Sequence, residues 1–203
     1  NTLSWPVPGK DRTMTKGKPN RLSRVLGATL GVLVLLAAIV AGGLALCYQV
    51  LFPKPYHELV SRYAQEFSVD ENLVYSVMKC ESSFDPNATS SVPAMGLMQI
   101  TEDTFDWISS KLPDGENYTV DQLYDPEVAI YYGTFFLGYL LNEFDHEQVA
   151  LSAYHAGRGI TNQWLDNPQY SGDGETLDVI PYADTSQYVD SVLGTYRVYQ
   201  RLY

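Results

Sequence analysis

From Val25 to Phe52 the chain carries no charged residue, reading VLGATLGVLVLLAAIVAGGLALCYQVLF. No other feature limits its folding options as sharply. About 20 consecutive apolar residues let a helix cross the hydrocarbon core of a bilayer, where every backbone polar group must be satisfied within the segment. The flank supplies a direction. Lys10, Arg12, Lys16, Lys18, Arg21 and Arg24 precede the run, with Asp11 as the single acid among them. A basic N-terminal flank predicts an N-inside orientation. Residues 1–24 therefore read as a cytoplasmic tail, residues 25–52 as a transmembrane anchor, and everything beyond as extracytoplasmic.

Two alternatives stay open for this segment. A cleaved signal peptide has an apolar region of about 7–15 residues, shorter than this one. Leu44-Ala45-Leu46-Cys47 has the look of a lipoprotein processing box, although Leu directly before the cysteine fits it poorly.

The charge of the remainder narrows its partners. The chain holds 13 basic and 24 acidic residues. Setting aside the six bases and one acid of the tail leaves 7 and 23 for residues 25–203, a net charge of −16. A body this acidic repels phosphate backbones, which argues against nucleic acid as a partner. Cys47 falls in the apolar run and Cys80 well beyond it, so they form no disulfide framework. Cys80 reads as a small buried hydrophobe; the competing reading is a nucleophile served by His57, His146 or His155.

Pro53-Lys54-Pro55 ends the apolar helix and acts as a short stiff linker. Residues 56–203 then read as one all-α domain. Leu59, Val60, Tyr63, Ala64 and Phe67 form one helical stripe. Asp70 caps a helix carrying Leu73, Val74, Val77, Met78 and Glu81, which Asp85-Pro86 interrupts. An irregular stretch to about Met95 precedes a helix from about Glu102 to Lys111. Asp125-Pro126 opens a helix running to about Asn142. Asp145 and Gln148 suggest a capping box for a helix that Gly157 closes. Residues 166–180 read as a surface loop, and residues 184–202 as a final helix. No alternating pattern predicts a strand.

Glu81 departs from its own stripe. Positions 74, 77, 78 and 81 share one helix face, and the first three are Val, Val and Met. A carboxyl at the inward end of that stripe, in the last turn of a helix, has its ionised form disfavoured by burial and by the helix dipole. Such a group donates protons near neutral pH. The competing reading is a carboxylate that merely accepts hydrogen bonds from a loop.

The neighbouring sequence adds a second line of argument. Glu81-Ser82-Ser83-Phe84-Asp85-Pro86, then Ala94-Met95-Gly96-Leu97-Met98-Gln99-Ile100, then Ala153-Tyr154-His155-Ala156-Gly157 follow in that order. Ile180-Pro181 and Thr185-x-x-Tyr188-Val189 close the set. Together they resemble the lytic transglycosylases of the soluble type, in the lysozyme-like superfamily, whose blocks read E-S-x-F-x-P, G-A-x-G-L-M-Q and A-Y-N-A-G. The resemblance implies a lysozyme-like helical domain over about residues 56–200, acting on peptidoglycan glycan strands. It also implies that Glu81 is the single catalytic acid/base and that Ser90 positions an N-acetyl group. Met98 then edges the groove, Gln99 contacts the glycan, and Tyr154 lines the site. His155 stands where Asn is usual, keeping a donor while adding a titratable group. Pro93 stands where Gly is usual, so the loop before Ala94 has no positive φ there.

The implied reaction needs no metal or cofactor. Glu81 protonates the oxygen between N-acetylmuramic acid and N-acetylglucosamine while the 2-acetamido group assists. The resulting carboxylate takes the proton of the C6 hydroxyl, closing a 1,6-anhydro ring. Most glycosidases use two carboxylates, and the only second candidate visible near Glu81 is Asp85, which reads as a turn-former before Pro86. Two other functions fit the same sequence: a hydrolytic muramidase on this fold, and an inactive glycan-binding module of an envelope complex whose other members the sequence does not name.

Overall fold

The computed structural model describes residues 21–90 and 93–203, without the side chains of Ser23, Arg24, Ala28 and Glu116. Lys10, Arg12, Lys16 and Lys18 of the basic tail lie outside the described residues, as does the Arg24 side chain. The chain divides after Leu51 into two compact units. In the first, helix α1 (Arg21–Leu51) carries the apolar run. Its stretch Val25–Leu51, 27 residues with mean hydropathy 2.7, is the one helix among the described residues long and apolar enough to span a membrane.

The second unit, Phe52–Tyr203, is helical with one small hairpin. Tyr56, in the left-handed region at φ 55°, turns the chain into α2 (His57–Glu66). α3 (Glu71–Ser82) starts where the Asp70 side chain accepts from the Asn72 amide at 2.7 Å. It stops because Ser83 and Phe84 both turn left-handed, at φ 51° and 68°. α4 (Glu102–Ser109) is capped by Thr101, and two short 3-10 turns (Gly115–Asn117 and Val120–Tyr124) follow it. α5 (Pro126–Glu143) begins under the Asp125 cap with proline in the first turn, as the sequence suggests.

α5 is the central helix. Val128 through Thr134 are all buried, and Gly133 and Gly138 let neighbours come close. α6 (Glu147–Ala156), α7 (Arg158–Leu165) and α8 (Ala183–Leu202) complete the domain. α8 packs along α3, the helix that carries Glu81. The core joins Val74, Val77 and Met78 of α3 to Leu137 and Leu140 of α5 and Val189 and Val192 of α8.

Three expectations need correction. The cap of α6 is His146, with no side-chain capping bond, so Gln148 sits one position short of the place a capping box requires. Residues 158–165, to which the periodicity assigns nothing, form α7, because Gly157 at φ 92° ends one helix and starts the next. Ala94–Met95 and Ile100–Thr101 pair as an antiparallel hairpin too short to show alternation.

Candidate active site

Glu81 lies largely buried in the last turn of α3, just before the helix must stop. Ser82, next to it, lies 2.9 Å from the Leu97 carbonyl, tying the end of α3 to the hairpin turn Gly96–Gln99. That turn depends on two residues with positive φ, Gly96 at 73° and Gln99 at 48°. At Gly96 the requirement is also steric, since a Cβ there would overlap the backbone carbonyl of Leu123.

The turn orients Gln99. Its Nε2 donates to the carbonyls of Ala88 at 3.0 Å and Gly96 at 2.9 Å, which occupies both amide hydrogens. The carboxamide oxygen is thereby held as an acceptor. Tyr154 donates its hydroxyl to the Met98 carbonyl at 2.8 Å and packs on Phe136, with centroids 5.1 Å apart.

These groups share a cavity of about 430 Å³. Glu81, Ser90, Gln99, Tyr154 and His155 all line it, with Ile100, Thr104 and Phe136 among the other walls. Five of the six residues singled out from sequence therefore converge. Met98 does not: its side chain is fully buried, and a Cβ on Gly133 would run into its sulfur, so it fills the space that glycine leaves in α5. Its contribution to the site is the backbone carbonyl that holds Tyr154.

Electrostatics set Glu81 apart. Burial pushes its carboxyl from the ordinary 4.5 up to about 7, and the Tyr188 hydroxyl opposes that rise. That hydroxyl is itself buried and finds no partner at full hydrogen-bonding geometry among the described residues. Burial also drives the Tyr154 and Tyr188 phenols well above their ordinary range, so both stay neutral. His155 stacks on Tyr188 with centroids 4.5 Å apart, and its Nδ1 lies 3.0 Å from Thr185 Oγ1. Burial lowers the pKa of its ring, and Asp184 acts in the other direction.

Asp184 corrects the sequence reading in which Asp85 is the only second carboxylate near Glu81. It lines the cavity from the start of α8 and accepts from the Thr185 amide at 2.8 Å. Asp85 is exposed and accepts from the Asn87 amide, the geometry of a turn-former. Asp184 and Tyr188 lie more than a hundred positions from Glu81, beyond the reach of local spacing.

The thiol alternative finds no support. Cys80 Sγ is 3.8 Å from Thr195 Oγ1, and burial, its largest influence, raises its pKa, the reverse of what a reactive thiolate requires. Two of the three candidate histidines face other groups: His57 lies beside Glu71 and His155 beside Thr185. Among the described residues no three His, Cys, Asp or Glu side chains gather as metal ligands.

Comparison with known proteins places this arrangement. The family model of the transglycosylase SLT domain matches residues 58–176. The soluble lytic murein transglycosylase of Escherichia coli K12 is 32% identical over 168 residues, 82% of this chain and 26% of that protein. The membrane-bound lytic murein transglycosylase C of Edwardsiella ictaluri is 28% identical over 72% of this chain and 47% of its own length. Among solved structures, the 70 kDa soluble lytic transglycosylase of Escherichia coli superposes with a TM-score of 0.66 at 28% identity, covering 81% of this chain and 27% of that one. An inactive glutamate-to-glutamine mutant of the Pseudomonas aeruginosa lytic transglycosylase Slt gives 0.65 at 29% identity, covering 75% of this chain and 25% of that one. The chain thus spans about a quarter of the soluble relatives and about half of the membrane-bound one. On the match of the family model and the shared helical fold, the chain belongs to the transglycosylase SLT domain family.

Proposed function

We propose that the domain is a peptidoglycan lytic transglycosylase, cleaving the β-1,4 bond between N-acetylmuramic acid and N-acetylglucosamine with Glu81 as its one acid/base. The observation that carries this reading is a buried carboxyl held at about 7 in a cavity with Gln99 and Tyr154. A group with that pKa is about half protonated at neutral pH, so it serves as acid in one step and base in the next. It first gives its proton to the glycosidic oxygen. As carboxylate it then accepts the proton of the C6 hydroxyl, which attacks C1 and closes the 1,6-anhydro ring. A tethered hydroxyl acts at an effective molarity on the order of 10⁵ M or more, which favours it over solvent water.

The other wall residues hold substrate. Gln99 offers its carboxamide oxygen to a sugar N–H or O–H, Ser90 and His155 border the cavity, and the neutral Tyr154 phenol packs beside it. By this reading α1 anchors the domain, and the basic residues before Val25 keep the N-terminus inside and the domain outside the cell membrane.

Asp184 supports a second reading, a hydrolytic muramidase in which that carboxylate holds a water. One experiment separates the two. Full-length chain in detergent micelles digests purified sacculi in heavy-oxygen water, and the muropeptides are analysed by mass spectrometry. Unlabelled anhydro ends, one water lighter than reducing ends, are expected. Labelled reducing ends would make the enzyme a hydrolase. Glu81→Gln, which keeps the shape and removes the transferable proton, should lower cleavage by about 10²- to 10⁴-fold.

A further inference from the structure

The second unit begins where the apolar run ends, because Phe52 follows Leu51 directly in the chain. Val25–Leu51, a helix of 27 residues, measures about 40 Å at about 1.5 Å per residue. A bilayer is about 30 Å thick in its hydrocarbon core and about 40–45 Å with its headgroups. An anchor of that length delivers Phe52 to the headgroup layer, and Phe52 already packs on Tyr199 of α8.

The groups gathered around Phe52 suit that layer. Phe52, Tyr75, Tyr199 and Tyr203 form one aromatic cluster, with Tyr199 stacked on Tyr75 at 5.7 Å and on Tyr203 at 6.0 Å. Two lysines lie over it. The Lys79 ammonium is 5.1 Å from the Phe52 ring centroid and 6.0 Å from that of Phe84, and Lys54 covers Tyr75 and Tyr203. Such contacts hold an ammonium on a ring face. Tyr203 and Leu202 are 54% and 37% exposed, and Arg201, also exposed, stands two residues before Tyr203.

Basic groups are scarce elsewhere, since seven of them stand against 23 acids in residues 25–203. Arg62 and Arg158 are paired with Glu127 and Glu143. Three of the remaining five, Lys54, Lys79 and Arg201, sit at this end. Two acids border it, Glu71 beside His57 and Asp85 on the Asn87 amide.

We propose that this end of the domain is a membrane-docking surface, on which Lys54 and Lys79 meet the phosphates of anionic phospholipids while Tyr203 and Leu202 settle among the headgroups. The proposal rests on the reading of α1 as an anchor and is independent of the reaction assigned to Glu81. The acidic remainder of the domain is repelled by the same leaflet, so charge selects the end that faces it. Aromatic rings with one apolar side and one wet side are favoured at that depth. Lys79 precedes Glu81 by two residues, about 3 Å along α3, so docking at Lys79 fixes the height of the Glu81 carboxyl above the membrane.

The test follows amide exchange by mass spectrometry in the full-length chain, reconstituted one per lipid nanodisc. Discs of phosphatidylcholine alone are compared with discs of phosphatidylcholine and phosphatidylglycerol in equal parts. Two lysines at an anionic surface shift the docked-to-free ratio by roughly 30-fold, so exchange over residues 79–84 and 198–203 should slow by roughly 10- to 30-fold in the anionic discs. High salt should erase the slowing. Lys54→Gln combined with Lys79→Gln should abolish most of it, and Lys54→Arg combined with Lys79→Arg should keep it, with thermal melting confirming the fold of each variant. Equal exchange in both discs, or slowing that survives the loss of both lysines, overturns the proposal. Slowing that appears only when a disc holds two chains overturns it too, and makes a second copy the occupant. A chain that alkaline carbonate strips from vesicles overturns the anchor reading and the docking with it, whereas a retained chain without slowing overturns the docking alone.

Discussion

The raised pKa of Glu81 makes a claim about stability as well as chemistry. Its carboxyl ionises at about 7 in the folded chain against 4.5 ordinarily. Between those values the folded state keeps a proton that the unfolded state has released, so stability falls as pH rises through the window. Each pH unit is worth about 1.4 kcal/mol, which makes the cost of ionising Glu81 in its site about 3 kcal/mol. Glu81→Gln removes that cost. Below about pH 4.5 both chains carry a neutral group and should unfold at similar temperatures. By pH 8 the variant should be the more stable by about 3 kcal/mol, or roughly 6–12 °C for a domain of this size. The assay is near-UV circular dichroism of the full-length chains in non-ionic detergent, melted in parallel from pH 4.5 to 8.5. Every other titration common to both chains cancels in the difference, leaving Glu81 and whatever is coupled to it. A gap that stays constant with pH would refute burial as the cause of the shift, and a gap that closes as pH rises would reverse its sign.

Three further outcomes are expected. Tyr188→Phe deletes the hydroxyl that holds the Glu81 pKa down, so the alkaline limb of the pH–rate profile should move to higher pH; an unmoved or lowered limb would count against that contact. Gly96→Ala forces a side chain into the Leu123 carbonyl at a positive φ, and should cost at least about 1–3 kcal/mol from backbone strain alone, read as a fall in unfolding temperature together with lost cleavage. External protease added to intact protoplasts should remove the domain beyond Phe52, and full protection would overturn the N-inside orientation.

Most of the fold is legible because its helices announce themselves locally. Asp70 and Asp125 cap where their spacing says they should, and the stripe of α3 buries Leu73, Val74, Val77 and Met78, the apolar residues that the period picks out. The inward aim of Glu81 is legible for the same reason. What escapes the sequence depends on other parts of the chain. Met98 belongs to a motif that suggests a groove, yet Gly133, 35 positions away, opens a slot that takes its side chain into the core. Asp184 reads as an ordinary first-turn acid, because only the packing of α8 beside α3 brings it to the cavity of Glu81. The hairpin of two-residue strands carries no period at all. It exists because Gly96 and Gln99 take left-handed conformations that a sequence pattern reveals only at the glycine.

The short stiff spacer Pro53-Lys54-Pro55 and the Phe52 before it are fastened to the folded domain. Tyr199 donates its hydroxyl to the Pro53 carbonyl at 2.8 Å and Tyr203 to that of Phe52 at 3.0 Å, while the Lys54 ammonium lies 4.3 Å from the Tyr203 ring centroid and 5.2 Å from that of Tyr75. Phe52 meets Tyr199 edge-on at 5.6 Å. A loose spacer would absorb tension by uncoiling before the domain felt any. Here a pull on the chain at Phe52 arrives at once on α8, through Tyr199, and on α3, through Tyr75, and α3 is the helix that ends in Glu81. Whatever displaces the chain at Phe52 is therefore felt first by the pair of helices that frames the carboxyl of Glu81.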